Sequence, residues 1–215
     1  MQHKTLTVDY GVHFSTVLYP FSIIEIADSL EKRGYELSPS IPFPRPVGRF
    51  LGAGEIARKG RTVVQIDSGS QLLLVADISL KSTIDSFNEI VTMLSEDHGI
   101  EVGSLIKFYR FGATFEIQTE KEASLRIATN LKVPILKDLE EILKEKISPI
   151  EFKFGGSDLR ANSENWFDIS IRPNYERNDR YVVSIVYRNT EKERTQAFLR
   201  TVEEKVAKIA EFIDK

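Results

Sequence analysis

A chain of 215 residues is long enough for one large domain or two small ones, and 41% hydrophobic with 28% charged residues is a soluble globular balance that excludes intrinsic disorder. A formal net charge of −3, with a pI near 5.8, excludes the global positive field that would gather nucleic acid or an anionic membrane. The lack of cysteine excludes a disulfide framework, a thiolate-held metal and a cysteine nucleophile.

Met1, Gln2, His3 and Lys4 lead straight into the strand-like Thr5 to Val8, with no apolar run long enough for a signal peptide or a membrane span. A cytoplasmic location and no membrane partner are expected. His3, His13 and His98 are far apart and none has metal-ligand spacing, so neither a metal nor a cofactor is expected.

Thr5 to Leu18 is β-branched and aromatic enough for one long or bent strand, with Gly11 as a bulge or close-approach point and Phe14, Thr16 and Leu18 on one face. Ser22 followed by Glu25 is a capping-box pattern, and Phe21 can staple onto Ile26. The helix that follows has Ile23, Ile26, Ala27 and Leu30 on one stripe and Gly34 as its stop. Pro39, Pro42, Pro44 and Pro46 then force an extended path, read either as a stiff connector or as a partner motif for an aromatic groove.

Gly52-Ala53-Gly54-Glu55-Ile56-Ala57 superficially matches a dinucleotide fingerprint, but that motif works only when a helix N-terminus follows to hold the pyrophosphate. Here a strand from Arg61 to Asp67 follows, so nucleotide binding is set aside and the glycines are assigned to a turn. Ser68-Gly69-Ser70 turns that strand back into Gln71 to Ile78, a hairpin whose return strand is apolar on both faces and is expected to be covered twice. Ser82 is expected to cap a helix carrying Ile84, Phe87, Val91 and Leu94, which Gly99 ends.

Leu105 to Gln118 is an aromatic-rich strand. Lys107, Tyr109, Arg110 and Phe111 interleave basic and aromatic residues as base-stacking surfaces do, and Lys107 with Arg110 are the nucleic-acid candidates. Strand alternation sets Lys107 and Tyr109 against Arg110, which favours a core strand with charged ends. A helix from Glu122 to Asn130 precedes an inserted helix near 134–147, which has Pro134 at its start, Pro149 as its stop and a stripe of Ile135, Leu139, Ile142, Leu143 and Ile147. A strand in PIEFKFGG leads through the loop Gly155 to Glu164 to Trp166, the chain's only tryptophan.

The second hairpin joins Trp166 to Arg172 with Tyr181 to Tyr187 through the polar loop PNYERNDR. Phe167, Ile169 and Ile171 face one way, Asp168, Ser170 and Arg172 the other. A last helix from 191 to 213 is expected behind a Thr190 and Glu193 capping box, burying Phe198, Val202, Val206, Ile209 and Ile213.

The stretch Tyr10 to Leu30 recurs as Phe111 to Leu131, aligning Gly11 with Gly112, Phe14 with Phe115, Ile26 with Ile127, Ala27 with Ala128 and Leu30 with Leu131 at one constant offset, with flanking elements in the same order. The fold class is therefore α+β. Two repeats, 1–104 and 105–215, each of strand, helix, antiparallel strands and helix, are expected to build one curved antiparallel sheet with helices on one side, either as two units or as one compact pseudo-twofold domain. This order resembles the TATA-box-binding protein fold, a duplicated saddle whose open sheet face grips its ligand. The resemblance is of topology; that family's sequence motifs and basic character are not found here.

Ligand binding is then expected on the face turned away from the helices. In the second repeat that face offers Lys153, Asp168, Ser170 and Arg172. Two readings stand side by side: a solvated strand face with cross-strand ion pairs, and a polar site where Asp168 is a base and Lys153 or Arg172 steadies an anion. The first repeat's face is more apolar, which invites cover by another domain or subunit. No motif assigns a reaction, and the function stays unknown from sequence. A non-catalytic binding or assembly protein, with a homo-oligomer or protein partner, is the first expectation; an enzyme on a small polar substrate is the second and a nucleic-acid module the third.

Overall fold

Long β-branched runs set between short amphipathic helices leave one economical arrangement: a single sheet carrying its helices on its apolar face. The computed structural model describes residues 2–17, 19–39, 53–119, 122–130, 135–156 and 163–214. It shows one open antiparallel sheet of nine strands: β1 His3–Phe14, β2 Glu36–Leu37, β3 Ala53–Lys59, β4 Thr62–Asp67, β5 Leu72–Asp77, β6 Ile106–Gln118, β7 Phe152–Gly155, β8 Trp166–Asn174 and β9 Arg177–Asn189. Seven helices accompany it: α1 Ile23–Lys32, α2 Leu80–His98, α3 Val102–Leu105, α4 Ala123–Asn130, α5 Ile135–Leu143, α6 Lys192–Arg200 and α7 Val202–Asp214.

The strand order β2-β3-β4-β5-β1-β6-β9-β8-β7 places β1 and β6 side by side at the centre. Tyr10 stands directly opposite Phe111, with Gly11 opposite Arg110 and Asp9 opposite Gly112. Alternation sends Tyr10, Val12, Phe111 and Phe115 into the core, where they join Ile26 and Leu30 of α1, Phe87 and Ile90 of α2, Ile127 of α4 and Val202 and Val206 of α7. Tyr10 packs on Phe87 with ring centroids 4.5 Å apart, and Phe111 packs on Phe198 at 6.2 Å. Each fully buried aliphatic or aromatic side chain contributes about 1.5–3 kcal/mol, so this layer is the main source of stability.

Several boundaries differ from expectation. β1 ends at Phe14 rather than Leu18, and Ser15 to Val17 form a bend. The segment assigned to a glycine turn is instead strand β3, in which Gly54 takes φ +129 and a bulge between Glu55 and Ala57 absorbs the irregularity. Its turn to β4 uses Gly60 at φ +63, and a second strand follows where a nucleotide site needs a helix. The proline-rich segment lies, apart from Pro39, outside the described residues.

Helix α2 begins a turn early: Ser79, not Ser82, is its cap, and its side chain accepts a hydrogen bond from the Ser82 amide. Gly99 ends it in the left-handed conformation. Ser22 stands at the N-cap of α1 without a side-chain cap bond, and Glu191 rather than Thr190 precedes α6. The expected final helix is two, α6 and α7, parted at Thr201. The inserted helix stops at Leu143, ahead of Lys144 at φ +57. The polar loop expected between β8 and β9 is mostly strand, closed by the two-residue turn Tyr175-Glu176. β5 buries Leu73 and Val75 but leaves Leu72 and Leu74 half-buried, so only one of its faces is covered.

Candidate functional site

The face opposite the helices is built by the complementary half of every strand. Asp9, Gly11 and His13 of β1 lie beside Phe108, Arg110, Gly112, Thr114 and Glu116 of β6, then Val182, Ser184, Val186 and Arg188 of β9, then Trp166, Asp168, Ser170 and Arg172 of β8. All four residues expected for the ligand site are on this face. Lys153 pairs in register with Ser170, and its ammonium meets the Asp168 carboxylate at 2.8 Å. Asp168 is largely shielded while Lys153 is mostly exposed, and the Asp168 contact raises the Lys153 ammonium's pKa. Asp168 is thus engaged in an ion pair, which counts against a base there; Arg172 stands opposite Val182.

The two residues expected for nucleic acid do not form one platform. Lys107, at the strand's start, lies 4.0 Å from Glu164, whereas Arg110 points onto the open face and bonds Asp9. Tyr109 faces the helices, stacked 6.5 Å from Tyr10.

Register assembles a cluster that the sequence keeps apart. His13 stacks on Phe108, with centroids 4.7 Å apart and planes 27° from parallel. The Arg188 guanidinium sits over the Phe108 ring at 5.3 Å and over the Trp166 ring at 5.1 Å. The result is a ladder of imidazole, phenyl, guanidinium and indole running across four adjacent strands, β1, β6, β9 and β8. Cation–π attraction on both faces holds the guanidinium in place. Beside Trp166, a recess of about 250 Å³ is lined by Gly156, Asn165, Tyr187 and Asn189 among others. Next along the face, Thr114 and Ser184 approach to 3.3 Å, with Ser170 directly opposite Ser184.

The electrostatics of the cluster follow from burial and like charge. Arg110 and Arg188 are directly opposed on β6 and β9. Burial first, and then the nearby Arg110 charge, lower the Arg188 pKa. Burial raises the Asp9 carboxyl, and the attraction of Arg110 only partly offsets it. Burial likewise lowers His13, against a 3.1 Å hydrogen bond between its Nδ1 and the Phe14 carbonyl. Gly11 and Gly112 make this crossing possible. A Cβ at Gly112 would land on the Asp9 carboxylate, and one at Gly11 on the Leu73 carbonyl oxygen. At the other end of the face the buried Glu116 accepts from Arg180 and from Asn174, the latter at 3.0 Å.

Among the described residues no group of three or more His, Asp or Glu is placed to hold a metal, and no helix is long and apolar enough to cross a membrane. Asp9, His13, Phe108, Trp166 and Arg188 were not among the expected site residues; the β6–β9 and β8–β9 registers bring Arg188 to Phe108 and Trp166. No known family and no curated protein matches this sequence.

Proposed function

We propose that this chain is a non-catalytic binding protein that receives a carboxylate- or phosphate-bearing small molecule on the open face of its sheet. The observation that carries the reading is the Arg188 guanidinium held between Phe108 and Trp166, directly across from Arg110. Arg110 already meets the Asp9 carboxylate, and an anion beside Arg188 offsets the repulsion that remains between the two guanidinium groups while accepting charge-assisted hydrogen bonds. The hydroxyls of Thr114, Ser184 and Ser170 offer further donors alongside. Against catalysis, three carboxylates of this face are engaged by cations: Asp9 by Arg110, Asp168 by Lys153 and Glu116 by Arg180.

The same centre supports reading the two halves as copies of one unit. Tyr10 and Phe111, equated by the sequence alignment, face each other across the central strand pair, and their partners Phe87 and Phe198 stand at matching places in α2 and α6.

Trp166 is the only tryptophan, so its emission reports on this site alone. Titration with phosphate, citrate and nucleoside phosphates is expected to change that emission saturably, with affinity falling as salt rises. Arg188→Met and Arg110→Met are each expected to weaken binding at least tenfold. Full affinity in both variants would overturn the assignment. Turnover of a bound compound would favour the enzymatic reading, and tight binding of single-stranded nucleic acid with a steep salt slope would favour the third.

A further inference from the structure

A second recess lies between the start of α1 and the end of α2, separate from the Arg188 cluster. The Ser22 and Glu25 pair that reads as a capping box forms none: Ser22 makes no side-chain cap bond, and among the described residues neither side chain has a hydrogen-bond or ion-pair partner. Both instead line a recess of about 310 Å³, together with His98. Its apolar wall includes Tyr19, Phe21 and Ile100. The Tyr19 and Phe21 rings stack with centroids 5.1 Å apart. The Tyr19 hydroxyl donates to the Leu72 carbonyl at 2.5 Å and accepts from the Asp67 amide at 2.9 Å, which pins this wall to the β4–β5 hairpin.

His98 adds an acceptor, and its neighbours decide which atom. Its Nε2 lies 3.1 Å from the hydroxyl of buried Ser29, one turn beyond Glu25 on the same face of α1. Arg33 first, and then the Ser29 hydroxyl, hold the Asp97 carboxyl below its ordinary pKa. An ionised carboxylate only accepts, so the Ser29 proton goes to Asp97 and the Nε2–H of His98 donates to the Ser29 oxygen. In that neutral imidazole Nδ1 keeps its lone pair, and among the described residues it has no partner. The recess thus holds three acceptors, the Glu25 carboxylate, His98 Nδ1 and the Ser22 hydroxyl, and its described lining contains no lysine or arginine. Three acceptors carrying one negative charge match an ammonium group, with its three N–H donors and one positive charge. The positive end of α1, which favours an anion, is offset by Glu25 in its first turn and by the C-terminal end of α2, where His98 sits. We propose that this recess binds a small primary amine with an apolar body, its ammonium group held by Glu25, His98 and Ser22 and its carbon body against Tyr19, Phe21 and Ile100. A transition metal is less well served, because only the carboxylate and the imidazole are ordinary metal ligands.

Titration of the isotope-labelled full chain with phenethylamine, followed by amide NMR shifts, tests the proposal. Saturable shifts are expected at the amides around Ser22, Glu25 and His98. The N,N,N-trimethyl derivative keeps the charge and the body but has no N–H donor, and it is expected to bind at least tenfold more weakly. Phenylacetate, the same body with an anion, is expected not to bind. Glu25→Gln and His98→Phe are each expected to weaken phenethylamine at least tenfold. Glu25 is exposed, so its variant folds and decides the matter even if circular dichroism shows His98→Phe to be unfolded. No saturable shift up to about 10 mM, where a ligand of this size and good fit is bound, would overturn the proposal. So would unchanged affinity in Glu25→Gln, or a trimethyl derivative that binds equally well. Phenylacetate binding in place of the amine would reassign the recess to the α1 N-terminus as an anion site, and Zn²⁺ displacing the amine at the same amides would make it a metal site; either result overturns the amine.

Discussion

Replacing Gly112 with alanine puts a methyl group where the Asp9 carboxylate lies, while the same change at Gly11 puts it against the main-chain oxygen of Leu73. A side chain can swing aside and a strand carbonyl cannot. Gly112→Ala therefore breaks the Asp9–Arg110 pair, whose two side chains are 23% and 22% exposed. Breaking a fully buried pair costs about 3–5 kcal/mol, and partial exposure reduces this to about 2–3. Alanine returns about 0.5–1 kcal/mol because glycine is a poor strand residue, leaving a net loss of about 1–2.5 kcal/mol. Gly11→Ala should cost at least about 3 kcal/mol, since overpacking against backbone has no rotamer to relieve it. Urea unfolding followed by circular dichroism measures both; with a slope of about 2 kcal/mol/M, Gly112→Ala moves the midpoint by about 0.5–1.3 M. The cycle with Asp9→Ala decides the cause. In that background Gly112→Ala should become neutral or stabilising, and an unchanged cost would refute the carboxylate as the obstacle.

Two further outcomes are expected. Phe87→Ala should cost about 3–5 kcal/mol and Phe198→Ala less, because Phe87 is fully buried and Phe198 only half-buried; equal costs in urea unfolding would count against the packing described. The second concerns pH. Burial raises the folded pKa of Asp9 above its unfolded value, so the folded state holds this proton more tightly and stability falls as pH rises through the interval between the two. Asp9→Asn has no such proton, so its stability relative to the unaltered chain should improve as pH climbs from about 4, near the unfolded carboxylate pKa. A difference that stays flat from pH 4 to 7 would show that Arg110 outweighs burial.

Elements whose signals are local could be read from the chain. Ser68-Gly69-Ser70 marked the β4–β5 turn, Gly99 marked the end of α2, and the alternation from Phe167 to Arg172 placed each side chain on the face it occupies. Misreadings arose where one residue type serves two purposes. Gly54 suggested a turn but sits in a strand beside a bulge, and the charged run Arg177 to Arg180 suggested a loop but continues β9. Both Ser79 and Ser82 suit a cap, and the choice is made by which oxygen meets which amide. The site was only half visible for a different reason. Parity assigns a face to each residue of a strand, but the placing of Arg188 beside Phe108 and Trp166 depends on register between strands far apart in the chain.

The central pairing of β1 with β6 also bears on how the protein is made. β1 gains β5 as a neighbour once Asp77 has been added, but its other edge stays unfilled until β6 is complete at Gln118. At ribosomal speeds of about 5–20 residues per second, that interval lasts roughly two to eight seconds. For that time the nascent chain presents a long strand with a bare row of peptide groups, the surface on which unfinished chains stick to one another. Slowing translation between these two points should therefore lower the yield of native protein more than the same delay placed after Gln118.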